Sequence, residues 1–487
     1  MELVWLRSDL RVHDHAPLSE ALETDTPVMA GYLFNRRRQE LTEAGFARED
    51  TKRHKFLIES LLEIHQQLSQ IGVPLMLAEG EAGQEAADWI DRFHVTRIHA
   101  YTYPGTEEQV DEKAVAEAAE QAGIPVIWYE GDTLLHTEDL PFAISELPKG
   151  FSGFRKKVEK QDILPREEAA APKEQQPLYL EEHAASGEKL MEAFRSLDVQ
   201  TFVNGGEQEG LRRLQAYLFE SRDILDYKER RNGMLVFNDS SKLSPWLASG
   251  SLSPRRVYWE LKRFEEEVHA NDSTYWLFFE LLWRDFFHLL MRKKGRDMFL
   301  AEGLQQLPIE WKLDKELFQA WCDGMTGYPL IDASMRQLKE CGFMSNRGRQ
   351  NTASFLTKNL GIDWRWGAAW FEAHLLDHDV ASNYGNWQYV AGVGSDAKEF
   401  RAFHVVNQGK RYDSKGDFVR FFLPELNYVP NKYIYEPFKL DERGLKEAAV
   451  ELGQTYPFPI VDLDASLEER KQAFHQARSQ KKERVSR

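Results

Sequence analysis

At 487 residues, 42% apolar and 12% aromatic, the chain is an ordinary globular sequence long enough for two or three domains. A net charge of −17 excludes a protein that coats nucleic acid along its whole surface, though not one with a local basic patch. Two cysteines, Cys322 and Cys341, exclude a disulfide framework and form no CxxC zinc motif. The N-terminus meets charge at Arg7, and the greasiest stretch, 276–291, is broken by Glu280, Arg284 and Asp285. The expectation is a cytoplasmic monomer with no signal peptide and no membrane span.

In chain order, β-rich runs at 3–6, 28–34, 74–78, 97–101 and 125–129 read as buried parallel strands. Between them, 50–71 and 107–122 repeat apolar residues at helical spacing. This βαβ rhythm predicts an α/β N-terminal domain over 1–130, built on a doubly wound parallel sheet. Residues 131–200, rich in Pro, Glu, Lys and Ala with weak periodicity, read as a connector. From Phe202 the pattern is almost wholly helical, giving an all-α C-terminal domain over 201–487. No GxGxxG follows the first strand, where Leu6 runs into Arg7-Ser8-Asp9, and Gly392-Val-Gly394 lacks a following strand and helix. If a dinucleotide binds, the helical half must hold it by other means.

Three segments concentrate polar and aromatic residues. The first, 227–254, carries Ser240-Ser241-Lys242-Leu243-Ser244-Pro245 and Ser251-Leu252-Ser253-Pro254. Serines ahead of Pro and an apolar run read as helix caps, and such an N-terminus also suits phosphate. In the second, 275–287, Glu280 and Arg284 share a helix face, and Trp283 lies beside them. That spacing predicts a pair, either structural or facing a wet cavity. In the third, 343–394, Asn346-Arg347-Gly348-Arg349-Gln350-Asn351 precedes a helix ending at Gly361. It continues through Trp364, His374, Asp377, His378, Asp379, Asn383, Trp387 and Tyr389. The two histidines allow a metal site, but no HExxH register supplies a general base. The alternative is a cradle for a heterocycle, with Asp accepting from ring N–H groups and Arg balancing a carboxylate. Between Arg336 and Arg365 six Lys/Arg face two Asp/Glu, and from Arg470 onward seven face one Glu. The first is a candidate basic patch. The second reads equally as a solvated helix end or a DNA contact.

Seven stretches in order resemble the photolyase/cryptochrome family: VWLRSDLRVHDHAPL, SSKLSPWLASGSLSPR, ELLWRDFF, TGYPLIDASMRQL, MSNRGRQNTASFLTKNLGIDWRWG, LLDHDVASNYGNWQYVAG and FLPEL. NRGRQN followed by NYGNWQYVAGVG is most similar to its DASH branch. The resemblance implies FAD held by the helical domain. It places Tyr227, Ser240, Ser241, Ser244 and Arg284 near the cofactor, and Arg349, Asp377, Asp379 and Asn383 around the flavin ring. Trp387, Trp364 and Trp311 match an electron-carrying chain. Glu280 matches a carboxylate that hydrogen-bonds the lesion; Trp283, Asn346, Arg347, Gln350 and Tyr389 match residues of the lesion pocket. Gln350 and Tyr389 stand where many duplex-repairing relatives carry Met and Trp. Around Glu107 and Glu108 the chain departs from the pattern of a folate antenna. Methenyltetrahydrofolate, a deazaflavin and an empty antenna pocket all stay open.

The implied function is blue-light-driven repair of cyclobutane pyrimidine dimers, preferentially in single-stranded DNA. The rival is a blue-light photoreceptor signalling through flavin reduction. A metal-dependent hydrolase built on His374 and His378 is a third reading.

Overall fold

The computed structural model describes residues 1–394 and 400–486. Five apolar runs form a parallel sheet: β1 (Glu2–Leu6), β2 (Val28–Asn35), β3 (Leu75–Gly80), β4 (Arg97–Tyr101) and β5 (Val126–Tyr129), in the order β3-β2-β1-β4-β5. Leu3, Val4, Trp5 and Leu6 are all buried, as expected for a central strand covered on both faces. Helices Thr51–Gln70, Ala82–Phe93 and Thr106–Ala122 supply that cover. The strand order reverses beside β1, so the crevice at the carboxyl ends of β1 and β4 is the natural ligand position of this half.

The stretch 131–200 is more than a passive connector. It contains helices Phe151–Lys160 and Glu181–Ser196, and the second lies against β3 and the helix Thr51–Gln70. There His183 Nδ1 accepts from the Leu75 N–H at 3.0 Å, and the Ser186 hydroxyl accepts from the Leu77 N–H at 3.2 Å. Side chains thus satisfy an edge strand that would otherwise offer free N–H groups. From Glu207 onward every described element is helical, with two large apolar clusters at its centre. The last helix, Leu463–Ser486, packs against the π-helical turn Phe355–Leu360. No described helix is long and apolar enough to cross a membrane.

The two halves are joined by a buried ionic knot. Asp14, fully buried with φ +47°, accepts from Arg255 Nε at 2.9 Å and Nη2 at 2.6 Å, and from the Ser253 hydroxyl. Arg11 donates to the Gly250 carbonyl at 2.8 Å, and His13 meets Glu207 at 2.6 Å. Gly250 has φ +70°, and a Cβ there would lie 1.8 Å from the Ser8 carbonyl oxygen, so only glycine lets the halves approach this closely. Ser253 does cap the helix Pro254–Glu267, accepting from the Arg255 and Arg256 N–H groups. Ser244 does not cap: it is the first residue of Ser244–Ser249, and its hydroxyl turns elsewhere.

Asp14→Asn keeps the left-handed backbone accessible but leaves Arg11 and Arg255 buried without their counter-charge. The expected loss is about 3–5 kcal/mol in equilibrium unfolding at neutral pH. Arg11 and Arg255 hold the Asp14 carboxyl below its usual 3.8 against the effect of burial. The gap between wild type and variant should therefore close as pH falls through that range.

Candidate functional site

One cavity of about 350 Å³ opens in the helical half. Its wall collects Tyr227, Ser240, Ser241, Ser244, Glu280, Arg284, Asn346, Arg349, Gln350, Asp377, Asp379, Asn383 and Trp387, bringing together residues up to 160 positions apart in the sequence. Burial of the apolar helix faces fixes where these side chains converge; their hydrogen bonds fix how they point.

Asp377 is the hub of one wall. Its Oδ2 accepts from the Ser244 hydroxyl at 2.6 Å and from Arg349 Nη2 at 2.9 Å, while Arg349 Nε donates to the Met344 carbonyl at 2.8 Å. Asp377 Oδ1 is buried without a partner, which leaves an acceptor for a ligand N–H or O–H. Asp379 starts the helix Val380–Ala391, its Oδ1 accepting from the Ser382 N–H at 2.6 Å. One turn on, Asn383 donates its amide to the Ala368 carbonyl at 2.9 Å, which leaves its own oxygen to accept. Lys242, between the serines, is buried against the ring of Phe343, and burial lowers its ammonium to about 8. Such a group suits a buried anion.

The tryptophans are ordered behind this cavity. Trp387 packs edge-on to Phe371 at 5.0 Å and lies over Gly367, where a Cβ would come within 2.2 Å of its ring. Gly367 is one turn after Trp364 in the helix Trp364–His374. Trp364 and Trp311 both donate their indole N–H to the Ala301 carbonyl at 3.1 Å, so one oxygen holds the two rings together. Trp364 and Trp387 are buried and Trp311 is partly exposed beneath Arg470, whose guanidinium lies 4.7 Å from its ring.

Several local expectations change. Glu280 does not pair with Arg284. It meets Arg231 and accepts from Trp276 Nε1 at 3.2 Å, while Arg284 turns to the Asp132 carbonyl. Burial pushes the Glu280 carboxyl up, against the opposing pull of Arg231. Asn346–Asn351 lie inside their helix, which Ser345 caps, rather than before it. Trp283 and Tyr389 line a separate small crevice; one face of Trp283 is covered by Phe151 at 3.8 Å, and Tyr389 is 42% exposed. The basic patch 336–365 disperses, because Arg336 pairs with Glu425, Lys339 with Asp323 and Arg365 with Asp363, and Lys358 is buried. Instead Arg347, which donates to Gln350 Oε1 at 2.8 Å, lies over the Tyr412 ring with Arg411 and is close enough to Arg231 and Arg401 to feel their charge. His374 stacks on Trp370 and donates to its carbonyl, and burial holds His378 neutral with a value of about 4. Among the described residues no group of three or more His, Cys, Asp or Glu is arranged to hold a metal.

A second cavity, about 530 Å³, lies between the halves at the carboxyl ends of the strands. Arg7, Arg37, Arg38, Arg48 and Arg53 line it together with Tyr103, Glu107 and Glu108. Glu107 is engaged by Arg48 at 2.9 Å. Arg284, His378 and Asp379 belong to both cavities. His288 and Asp132, which motif reading misses, line the second.

Residues 2–175 match the family model described as DNA photolyase, and residues 276–476 that of the FAD binding domain of DNA photolyase. A protein named Cryptochrome DASH from Synechocystis is 44% identical over 474 residues, covering 96% of both chains. A crystal structure of Synechocystis cryptochrome superposes with a TM-score of 0.91 at 42% identity, covering 97% of this chain and 99% of that one. A bacterial class III photolyase from Agrobacterium tumefaciens gives 0.82 at 31% identity, covering 98% of each. The first cavity fits FAD on its own terms: serine hydroxyls, Lys242 and Arg284 for the phosphates, and an unpaired Asp377 oxygen for a polar ring edge. The chain is an FAD-binding flavoprotein and belongs to the photolyase/cryptochrome family, within its DASH branch.

Proposed function

We propose that the chain is a light-driven lyase that splits cyclobutane pyrimidine dimers, preferring single-stranded DNA. The observation that carries this reading is Glu280: a carboxyl raised by burial, in the wall of the same cavity as Asn346 and Gln350. FAD, when bound and reduced, supplies light absorption and the transferable electron. The protein supplies the rest. Glu280 hydrogen-bonds the damaged base and stabilises the charge placed on it, best when it carries the proton that burial favours and Arg231 opposes. Asp377, Asp379 and Asn383 orient the flavin, and Trp387, Trp364 and Trp311 restore electrons from the surface. The arginines around Tyr412 hold flanking phosphates. The second cavity is the antenna site in this reading.

The photoreceptor reading draws on one feature: Trp283 and Tyr389 lie outside the first cavity, so fewer aromatic walls await a flipped base. Repair of a thymine-dimer oligonucleotide by the reduced protein in blue light decides between them. No repair with intact FAD would favour the receptor.

Glu280→Gln should lower repair without releasing FAD, and Glu280→Ala should lower it further. Losing a hydrogen bond to a charged group costs about 1.5–3 kcal/mol, a ten- to hundredfold fall in rate or so. Unchanged repair in both variants would remove Glu280 from the mechanism. Trp387→Phe keeps most of the ring volume, so stability should change little. Photoreduction of the oxidised protein with external reductant should slow at least tenfold, while repair by chemically reduced protein stays near wild type. Equal loss of both would make Trp387 structural.

Strand preference follows from the cost of extracting the dimer, a few kcal/mol from a duplex and far less from a single strand. Stacking returns about 1–3 kcal/mol per base. Gln350 presents an amide already bonded to Arg347, and Tyr389 lies outside the cavity, so its ring is not placed to stack on a flipped base. Together they forfeit about 1–2 kcal/mol, on the order of tenfold in affinity. Matched single- and double-stranded substrates at limiting protein should differ by at least that factor; equal repair would refute the preference.

A further inference from the structure

We propose that His288 is a doubly anchored imidazolium that joins the two cavities and positions Asp379 as a pure hydrogen-bond acceptor at the polar edge of the first. The inference rests on the reading that Asp379 and Asn383 face the flavin ring. His288 Nδ1 lies 2.7 Å from Asp132 Oδ2, and Nε2 lies 2.7 Å from Asp379 Oδ2. Ionised carboxylates only accept, so a ring bonded to two of them must carry hydrogen on both nitrogens. That is the cation. Its side chain is 3% exposed, so water does not compete for either bond.

The charges around His288 are consistent with this state. On its own helix, Arg284 lies one turn before it and Arg292 one turn after. Asp285 spends both oxygens on the Leu134 and Leu135 N–H groups and, raised by burial to about 6, is the least willing carboxylate nearby. From 130–135, Asp132 also pairs with Arg292 at 2.9 Å, and Glu130 pairs with Arg292 at 3.1 Å. From the other side come Asp379 and a neutral His378. Burial disfavours the cation, but Asp379 and Asp132 outweigh it and raise His288 to about 9. The same cation holds Asp379 well below the usual carboxylate range despite burial.

The consequence reaches the first cavity through geometry. Asp379 Oδ2 is fixed by His288 and Oδ1 by the Ser382 N–H, so the carboxylate cannot rotate away. It also starts the helix that carries Asn383 and Trp387. His288 is therefore a positioning residue for the flavin's polar edge, acting through Asp379. Its folded value is raised, so its contribution is complete below the unfolded value of 6.5 and is lost as pH rises through about 9. Above that range one of the two carboxylates loses its donor.

The test uses the FAD-loaded, full-length protein in the dark. Nitrogen NMR of histidine-labelled protein should show one ring protonated at both nitrogens at pH 7.5 and neutral above pH 9, with the signal absent from His288→Gln. The rate of FAD release should rise about tenfold between pH 7.5 and 10. His288→Lys keeps a positive charge through that window and should remove most of the rise, whereas His288→Gln should release FAD faster at both pH values. Lys242, at about 8, lines the same cavity and titrates in all three proteins, so the readout is the difference between wild type and His288→Lys. A neutral ring at pH 7.5, or the same pH dependence in both proteins, overturns the inference. A chain that retains no flavin at all would instead overturn the reading beneath it, and the NMR signal separates the two failures whether or not the variants fold.

Discussion

The buried Asp14 carboxylate decides how the two halves of the molecule meet. Burial shields it from solvent, so Arg255, Arg11 and Ser253 must come to it, and Gly250 must let Ser8 approach. With that contact set, the sheet's carboxyl ends face the helical half and enclose the second cavity. Two of the motif stretches, LRVHDHAPL and SGSLSPR, are largely the two sides of this one interface. A buried ion pair is weak evidence of net stability, yet it specifies one docking geometry because every alternative leaves a charge unpaired.

The same logic continues into the site. Residues 130–135 are held to the helix Asp272–Lys294 by Asp285, His288 and Arg292, each meeting a backbone or carboxylate group of the incoming chain. That helix then offers its other faces to the cavity, with Glu280 and Arg284. Structural and functional charges therefore share one helix, and Arg284 serves both sides, lining the cavity while it donates to the Asp132 carbonyl. Those that face the 130–135 segment are paired by it, and Glu280, which faces the cavity, is paired by Arg231 instead. The i,i+4 rule misplaces Glu280 because it counts only neighbours on the same helix.

The parallel strands were legible because continuous apolar runs of four to eight residues have few other uses. The helix Glu181–Ser196 was not, since it buries only Ser186 and Leu190 and so leaves almost no periodicity to read. All nine candidate cofactor residues, Ser244, Asp377 and Asn383 among them, do converge on one cavity. A polar cradle was readable in 343–394, where Asp379 and Asn383 are four apart, but its meeting with Ser244 was visible only through the family resemblance, because they lie on separate helices. Lys242 stood inside a quoted motif but was overshadowed by its serines. Asp132 and His288 had no signal at all. Their meaning is a contact between segments 156 residues apart, which no local pattern encodes.

Charge shows how far composition can mislead. A chain of net charge −17 repels a polyanion at long range, and the apparent basic segment 336–365 is mostly neutralised by ion pairs. What remains is Arg347 and Arg411 over Tyr412, with Arg401 close enough to feel the same charge, positions that no short window of the sequence contains. Screening confines such a cluster's field to about 8–10 Å at physiological salt. In the proposed function this favours a flexible strand that brings a few phosphates to the mouth of the cavity over a rigid duplex, which must also lay its remaining charge along an acidic surface. The proposed preference for single strands would then have two sources, a pocket that returns too little stacking energy and a net negative chain that tolerates little backbone.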